Sequence, residues 1–298
     1  THNSINEAMN ILVTGANGQL GNEIRRRSVG CNHHFTFTDV AELDITDAVA
    51  VLEMASNTKA EFIINCAAHT NVDKAEDDEQ TAHLINCTAT ANLAAAAKQV
   101  GATLIHVSTD YVFDGCGCTP YTEDAAVAPT GAYGRTKLAG EQAVAASGCK
   151  HIIIRTAWLY SEFGNNFLKT MLRLTAEREH INVVFDQVGS PTYAGDLALA
   201  IFSIVEGGLY EGKEGTYHFS NEGVCSWYDF TKTIHRLYGD INCKVTPILS
   251  EEYAYKTPRP FYSVLDKTKF KKTFNVSIPY WVEALERCIK VLKQSENQ

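Results

Sequence analysis

Residues 10–26 constrain the fold more than any other stretch of this 298-residue chain. Asn10-Ile11-Leu12-Val13-Thr14 is a short apolar strand. Gly15-Ala16-Asn17-Gly18-Gln19-Leu20-Gly21 follows at once, and Asn22-Glu23-Ile24-Arg25-Arg26 continues as a helix. The spacing is G-x-x-G-x-x-G. Glycine permits the tight turn and lets backbone N–H groups approach a pyrophosphate. The helix start adds partial positive charge at the same place. A glycine pattern alone is weak, because a glycine-rich turn need hold no ligand. Between a strand and a helix it gains specificity.

The alternation then repeats. Strand patterns end at Asp39, Cys66, Val107 and Arg155, and helical segments stand between them: Ala48 to Ala55, Thr81 to Val100, and one opening near Tyr133. This predicts an α/β fold, a Rossmann-type doubly wound parallel sheet whose strand ends gather ligands on one edge. Beyond Arg155 the alternation loosens. Helices are read from Asn165 to Arg178, Asp196 to Val205, Ser226 to Tyr238 and Tyr280 to Lys293, with strands at Ile181 to Phe185 and Gly215 to Phe219. The expected division is a dinucleotide-binding domain at 9–155 and a smaller, mainly substrate-binding lobe at 156–298. Some segments of that lobe should return to pack on the first domain. Residues 1–8 are polar, precede Met9, and read as a leader or cloning remnant.

Charge and cysteine content narrow the function classes. A net charge of −9 argues against nucleic acid as a partner, since phosphate binding needs a basic face. Nine cysteines without a C-x-x-C motif read as free thiols in a reducing, cytoplasmic compartment. Cys116 and Cys118 read as a pair of loop thiols. No apolar run is long enough for a bilayer, so no membrane partner is expected.

The candidate chemistry lies in two segments. Ser108-Thr109-Asp110-Tyr111 follows the apolar run Thr103 to Val107, at a strand end. Tyr133 and Lys137 are four apart on a helix and share a face. A free phenol titrates near pH ~10. A close ammonium favours the phenolate and makes the phenol a better proton donor to an oxygen. Y-x-x-x-K also arises by chance on surface helices; the glycine turn upstream favours the chemical reading. Asp39, about 20 residues past that turn, suits an adenosine ribose 2′-hydroxyl and disfavours a 2′-phosphate. Arg25, Arg26 and Arg27 can offset this, so NADH against NADPH stays open. Asp44 faces the adenine edge or caps a turn. Ala67 and Ala68 are small enough to pack on a flat cofactor, and His69 is catalytic or structural. Arg259, in the rigid Thr257-Pro258-Arg259-Pro260 loop, is either an anion ligand or a solvated surface residue.

Several segments together resemble one family. They are T-G-A-N-G-Q-L-G at 14–21, N-C-A-A-H-T at 65–70, S-T-D-Y-V-F-D-G at 108–115 and Y-G-R-T-K-L-A-G-E at 133–141. R-T-A-W-L-Y at 155–160, G-S-P-T at 189–192 and R-P-x-x-S-x-L-D at 259–266 follow. This chain resembles the dTDP-4-dehydrorhamnose reductases of the extended short-chain dehydrogenase/reductase superfamily over nearly all of 10–290. The resemblance implies reduction of the 4-keto group of dTDP-4-dehydro-6-deoxy-L-mannose to dTDP-L-rhamnose for surface polysaccharides, with NADPH and often NADH. It implies a pyrophosphate turn of Gly15, Asn17, Gly18, Gln19, Leu20 and Gly21, with Asp39, Asp44 and Ile45 at the adenosine. Ala67, Ala68, Thr70 and Ser108 would line the nicotinamide side. Thr109 would bond the substrate carbonyl, Tyr133 would protonate it, and Lys137 would hold the nicotinamide ribose and keep Tyr133 acidic. Asp110, Tyr111, Trp158, Asn166 and Arg259 are implied for the sugar nucleotide. Some members pair through magnesium. Glu23 matches one of their acids, but Pro191-Thr192 leads into Tyr193-Ala194-Gly195-Asp196 without the second. No metal is therefore expected, and a monomer or another homodimer is open.

Two other readings compete. A 4,6-dehydratase wants Thr-Asp-Glu where this chain has Thr109-Asp110-Tyr111, and an epimerase-reductase wants a cysteine there. A non-catalytic dinucleotide-binding subunit, like that of methionine adenosyltransferase, would not need the intact Thr109, Tyr133 and Lys137.

Overall fold

The computed structural model describes residues 7–298. Most of the leader read at residues 1–8 lies outside them.

Strands β1 (Asn10–Thr14), β2 (His34–Phe37), β3 (Phe62–Asn65), β4 (Thr103–Thr109) and β5 (Lys150–Thr156) form a parallel sheet in the order β5-β4-β3-β1-β2. Helices α1 (Gln19–Ser28), α2 (Ala48–Asn57), α3 (Val72–Asp77), α4 (Glu79–His83), α5 (Ala89–Val100) and α6 (Ala132–Ser147) connect them. The middles of β1, β3 and β5 are continuous apolar runs, as strands covered on both faces require. Ile11 and Val13 face one layer, with Leu20 and Ile24 of α1. Leu12 faces the other, with Val51 of α2, Leu93 of α5 and Val144 of α6. Side chains that alternate along a strand divide between the two cores. Strand order reverses beside β1, so a crevice opens at the carboxyl ends of β1 and β3, where α/β sheets take ligands.

The rest of the chain divides between two places. Short strands β6 (Leu159–Tyr160) and β9 (Thr192–Tyr193) pair, as do β8 (Val188–Gly189) and β11 (Cys225–Ser226). Strands β7 (His180–Val184) and β12 (Lys244–Ile248) form a parallel pair. With α7 (Phe167–Glu177), α9 (Trp227–Tyr238) and α11 (Trp281–Glu296) they enclose a separate core that includes Leu168, Phe230 and Leu285. By contrast β10 (Gly215–His218) adds to the main sheet beside β5. Helices α8 (Ala194–Gly207) and α10 (Thr268–Phe274) pack on that sheet through Leu197, Ile201, Phe270 and Phe274. Between the two cores lies a cleft of about 1090 Å³.

Candidate active site

The three turn glycines have different duties. Gly15 has φ +66°, and a Cβ there would sit 2.5 Å from the Ala67 nitrogen at the end of β3. A Cβ on Gly21 would come within 2.5 Å of Ala16 Cα. Both are excluded by the chain's own backbone. Gly18 is extended, and a Cβ on it would meet only the Gly15 carbonyl oxygen at 3.4 Å. Its open side belongs to the cleft, which Gly18, Gln19 and Leu20 line. Helix α1 starts there with no side-chain cap and no acid in its first turn. Its leading N–H groups and positive end therefore face the cleft. This cradle fits a dinucleotide pyrophosphate.

Just past β2, Asp39 accepts the Asn17 N–H at 2.9 Å and the Val40 N–H at 2.8 Å, tying the end of β2 to the turn. Arg26 and Arg27 are committed to Glu23. Arg25 reaches Asn17 Oδ1 at 3.3 Å and lies over the Phe37 ring, beside that corner. Asp44 caps its own turn: Oδ1 accepts the Thr46 N–H at 3.0 Å and hydroxyl at 2.6 Å, which lowers its pKa. Ile45 offers its carbonyl to Asn92.

Thr109 ends β4, and its hydroxyl donates to Asp110 Oδ1 at 3.1 Å and accepts the Tyr111 N–H. Tyr133 and Lys137 both face the cleft from α6. The rings of Tyr111 and Tyr133 meet edge to face with centroids 5.2 Å apart. Lys137 is buried, and its Nζ donates to the Val107 carbonyl at 2.8 Å. Burial lowers its pKa to about 8, against the Glu141 carboxylate, which raises it.

The electrostatics correct one expectation. Burial pushes Tyr133 up to about 12; the Thr109 hydroxyl pulls it back and Asp110 pushes it further. The Lys137 ammonium is aimed at the carbonyl of Val107 on β4. Asp110 is buried, its Oδ2 has no partner, and burial lifts its carboxyl to about 7.

Other predicted residues are placed as follows. Ala68 and Thr70 line the cleft beside Tyr133, while the Ala67 N–H is held by Asn65. Ser108 also borders the cleft, but its hydroxyl donates inward to Glu141 at 2.5 Å. His69 is held through its backbone by Asn86, which accepts its N–H at 2.8 Å and donates to its carbonyl at 3.1 Å. Trp158 and Arg259 line the cleft. Arg259 forms a pair with Asp73 of α3 (3.3 Å) and donates to the Thr257 carbonyl, so it is not a free surface cation. Asn166 departs from its expected role. It caps α7 by accepting the Lys169 N–H, and its amide donates to Gln19 Oε1 and the Ser161 carbonyl. Its neighbour Asn165 lines the cleft instead.

Three features escaped the sequence. Glu141 binds Ser108 of β4 and a buried, bidentate Arg155 of β5. Only its place four residues after Lys137, on the same helix face, hinted at this. Asn86 sits in a π-helical turn, Leu84–Thr88, of a kind that often marks functional sites, and donates to the Thr136 hydroxyl of α6. Trp227 joins the cleft wall from the start of α9.

A magnesium bridge at Glu23 does not fit. One carboxylate oxygen accepts the Ser161 hydroxyl at 2.7 Å; the other is taken by Arg26 and Arg27, which already neutralise it. No group of three His, Cys, Asp or Glu among the described residues is placed to hold a metal ion.

The family model for the RmlD substrate binding domain matches residues 9–294. The chain belongs to this family. The dTDP-4-dehydrorhamnose reductase of Mycolicibacterium smegmatis is 40% identical, over 95% of this chain and 85% of that protein. A crystal structure of a dTDP-4-dehydrorhamnose reductase from Clostridium acetobutylicum superimposes with a TM-score of 0.90 at 46% identity, covering 95% of this chain and 99% of that one. The Bacillus anthracis enzyme, in complex with NADP, gives 0.90 at 40% identity with the same coverage. The parallel, doubly wound sheet is common to them.

Proposed function

We propose that this chain is an NADPH-dependent reductase of the 4-keto group of dTDP-4-dehydro-6-deoxy-L-mannose, yielding dTDP-L-rhamnose. The observation that carries the reading is continuity. One cleft joins the uncapped start of α1 to Thr109, Tyr133 and Lys137. When bound, the nicotinamide supplies the hydride.

The chain's own residues do the rest. Gly18 admits the pyrophosphate to the N–H groups of α1. Arg25, next to Asn17 and Asp39, supplies positive charge for a 2′-phosphate. Lys137, fixed by the Val107 carbonyl, presents its remaining N–H groups to the nicotinamide ribose. Thr109 positions the substrate carbonyl, and Tyr133 gives its oxygen a proton as the carbonyl is reduced. Burial keeps the phenol protonated, so it stands ready to donate to the carbonyl oxygen as negative charge develops there. Trp158, Tyr111 and Arg259 surround the sugar nucleotide.

Tyr133 and Lys137 face the cleft, which disfavours a non-catalytic binding subunit. No helix among the described residues is long and apolar enough to cross a membrane. We place the protein in the cytoplasm, with its NADPH and sugar-nucleotide supply, as a monomer or a homodimer. The test is NADPH oxidation with the dTDP-4-keto-6-deoxy-L-sugar beside its GDP and UDP analogues, repeated with Tyr133→Phe. The variant should bind NADPH normally and turn over about 10²-fold more slowly. Wild-type turnover in the variant would remove Tyr133 from the chemistry.

A further inference from the structure

Four described residues other than glycine have positive φ: Lys59, Trp158, Asp240 and Asn275. Three are exposed polar residues at turns or helix ends. Trp158 is different. It is a bulky aromatic at φ +51°, half-buried, in the wall of the cleft. Such a conformation persists only where the surroundings impose it, and it is found preferentially at functional sites.

The surroundings are specific. The Trp158 carbonyl accepts the Thr192 N–H at 3.0 Å, and the Ala157 carbonyl accepts the Thr192 hydroxyl at 2.5 Å. These bonds fix the backbone but leave the indole free to turn. The indole is held by Trp227, stacked on it with centroids 3.5 Å apart and planes 11° from parallel. Gly189 provides the space: a Cβ there would lie 2.7 Å from Trp158 Cε2. Trp227 is itself fixed. It opens α9 behind the Ser226–Asp229 capping box, and Phe167 packs against it at 4.5 Å. Beside Gly189 stands Ser263, whose hydroxyl donates to the Val188 carbonyl at 3.4 Å. The clamped indole lines the same cleft as Thr109 and Asp110.

We propose that Trp227 is a positioning residue: it clamps Trp158 so that the indole forms a rigid apolar wall against the C–H face of the deoxyhexose. This rests on the sugar-nucleotide reading of the cleft. An indole that can swing would bind the sugar less well before and during reaction alike. The loss should therefore appear in KM, while reduction, carried out by other groups, keeps its rate.

The experiment compares Trp227→Leu and Trp227→Phe with wild type in the full chain. Stacked indoles give an exciton couplet in circular dichroism, which both variants should lose. Trp227→Leu should raise KM for the dTDP-4-keto sugar about tenfold, with kcat within about threefold and NADPH affinity unchanged. Trp227→Phe keeps a flat ring against Trp158 and should recover much of the KM. If Trp227→Leu fails to fold, Trp227→Phe against wild type carries the comparison, with a smaller rise expected. Unchanged KM in Trp227→Leu once the couplet is lost, or in Trp227→Phe where the leucine variant does not fold, would overturn the proposal, as would a fall in kcat alone. A wild type with the couplet but without turnover would fail the reductase reading instead, and with it the sugar as occupant.

Discussion

Gly18→Ala separates a glycine kept for a ligand from one kept for the fold. Gly18 sits at φ −80°, ψ −175°, which alanine adopts freely, and the new methyl would meet only one oxygen at 3.4 Å. Two small effects oppose each other. Alanine restricts the unfolded chain, worth about 0.4–1 kcal/mol. It is also a poorer residue at a helix N-cap, by up to about 1 kcal/mol. The net change should stay within about 1 kcal/mol, or roughly 2–4 °C in Tm. The methyl nevertheless stands on the side from which a pyrophosphate approaches the α1 N–H groups. NADPH should bind at least about tenfold more weakly, a loss of ~1.4 kcal/mol. Gly21→Ala is the control. Its Cβ would lie 2.5–2.6 Å from three backbone atoms of Ala16, which cannot move aside alone. Overpacking costs about 1–3 kcal/mol, against a gain of about 1 kcal/mol in helix propensity. That variant should lose up to about 2 kcal/mol without any ligand present. Calorimetric melts of the free proteins and titration with NADPH read both quantities. Wild-type NADPH affinity in Gly18→Ala would refute the cradle. A Tm loss equal to that of Gly21→Ala would show that Gly18 is kept for packing.

Other expectations concern single side chains. Arg259→Ala should raise KM for the sugar nucleotide more than it lowers kcat, as loss of uniform binding does; an unchanged KM would leave Arg259 as a partner of Asp73 only. Asp110, lifted to about 7 from an ordinary 3.8, favours the folded state below about pH 4 and loses that contribution as pH rises through 7. Asp110→Asn should therefore gain Tm relative to wild type between pH 5 and pH 8, and an equal difference at both values would contradict the burial argument. Glu141→Gln leaves the buried Arg155 without its countercharge and should cost about 3–5 kcal/mol, seen as a Tm lower by several degrees. A shift too small to measure would mean that Arg155 finds another partner.

The chain's own residues, read in order, were enough for the sheet and one edge of the site. Apolar runs such as Ile11–Val13 and Phe62–Ile64 need both faces covered, and the glycine turn needs a strand before it and a helix after it. Tyr133 and Lys137 share a face because a helix repeats every 3.6 residues. Each of these rules acts over a few residues, so a linear text carries it in full. What Lys137 bonds is another matter. Its place in sequence put it on one helix face with Tyr133; folding aimed its ammonium at Val107, 30 residues away, while burial pushes the phenol up. The same holds for Arg259 with Asp73, 186 residues apart, and for Asn166, drawn to Gln19 across 147. The Trp158–Trp227 stack and β10 beside β5 are likewise products of chain closure. Local steric and periodic preferences are written residue by residue. Which distant donor meets which acceptor depends on how two separately packed cores come to rest against each other, and only the tertiary structure decides that.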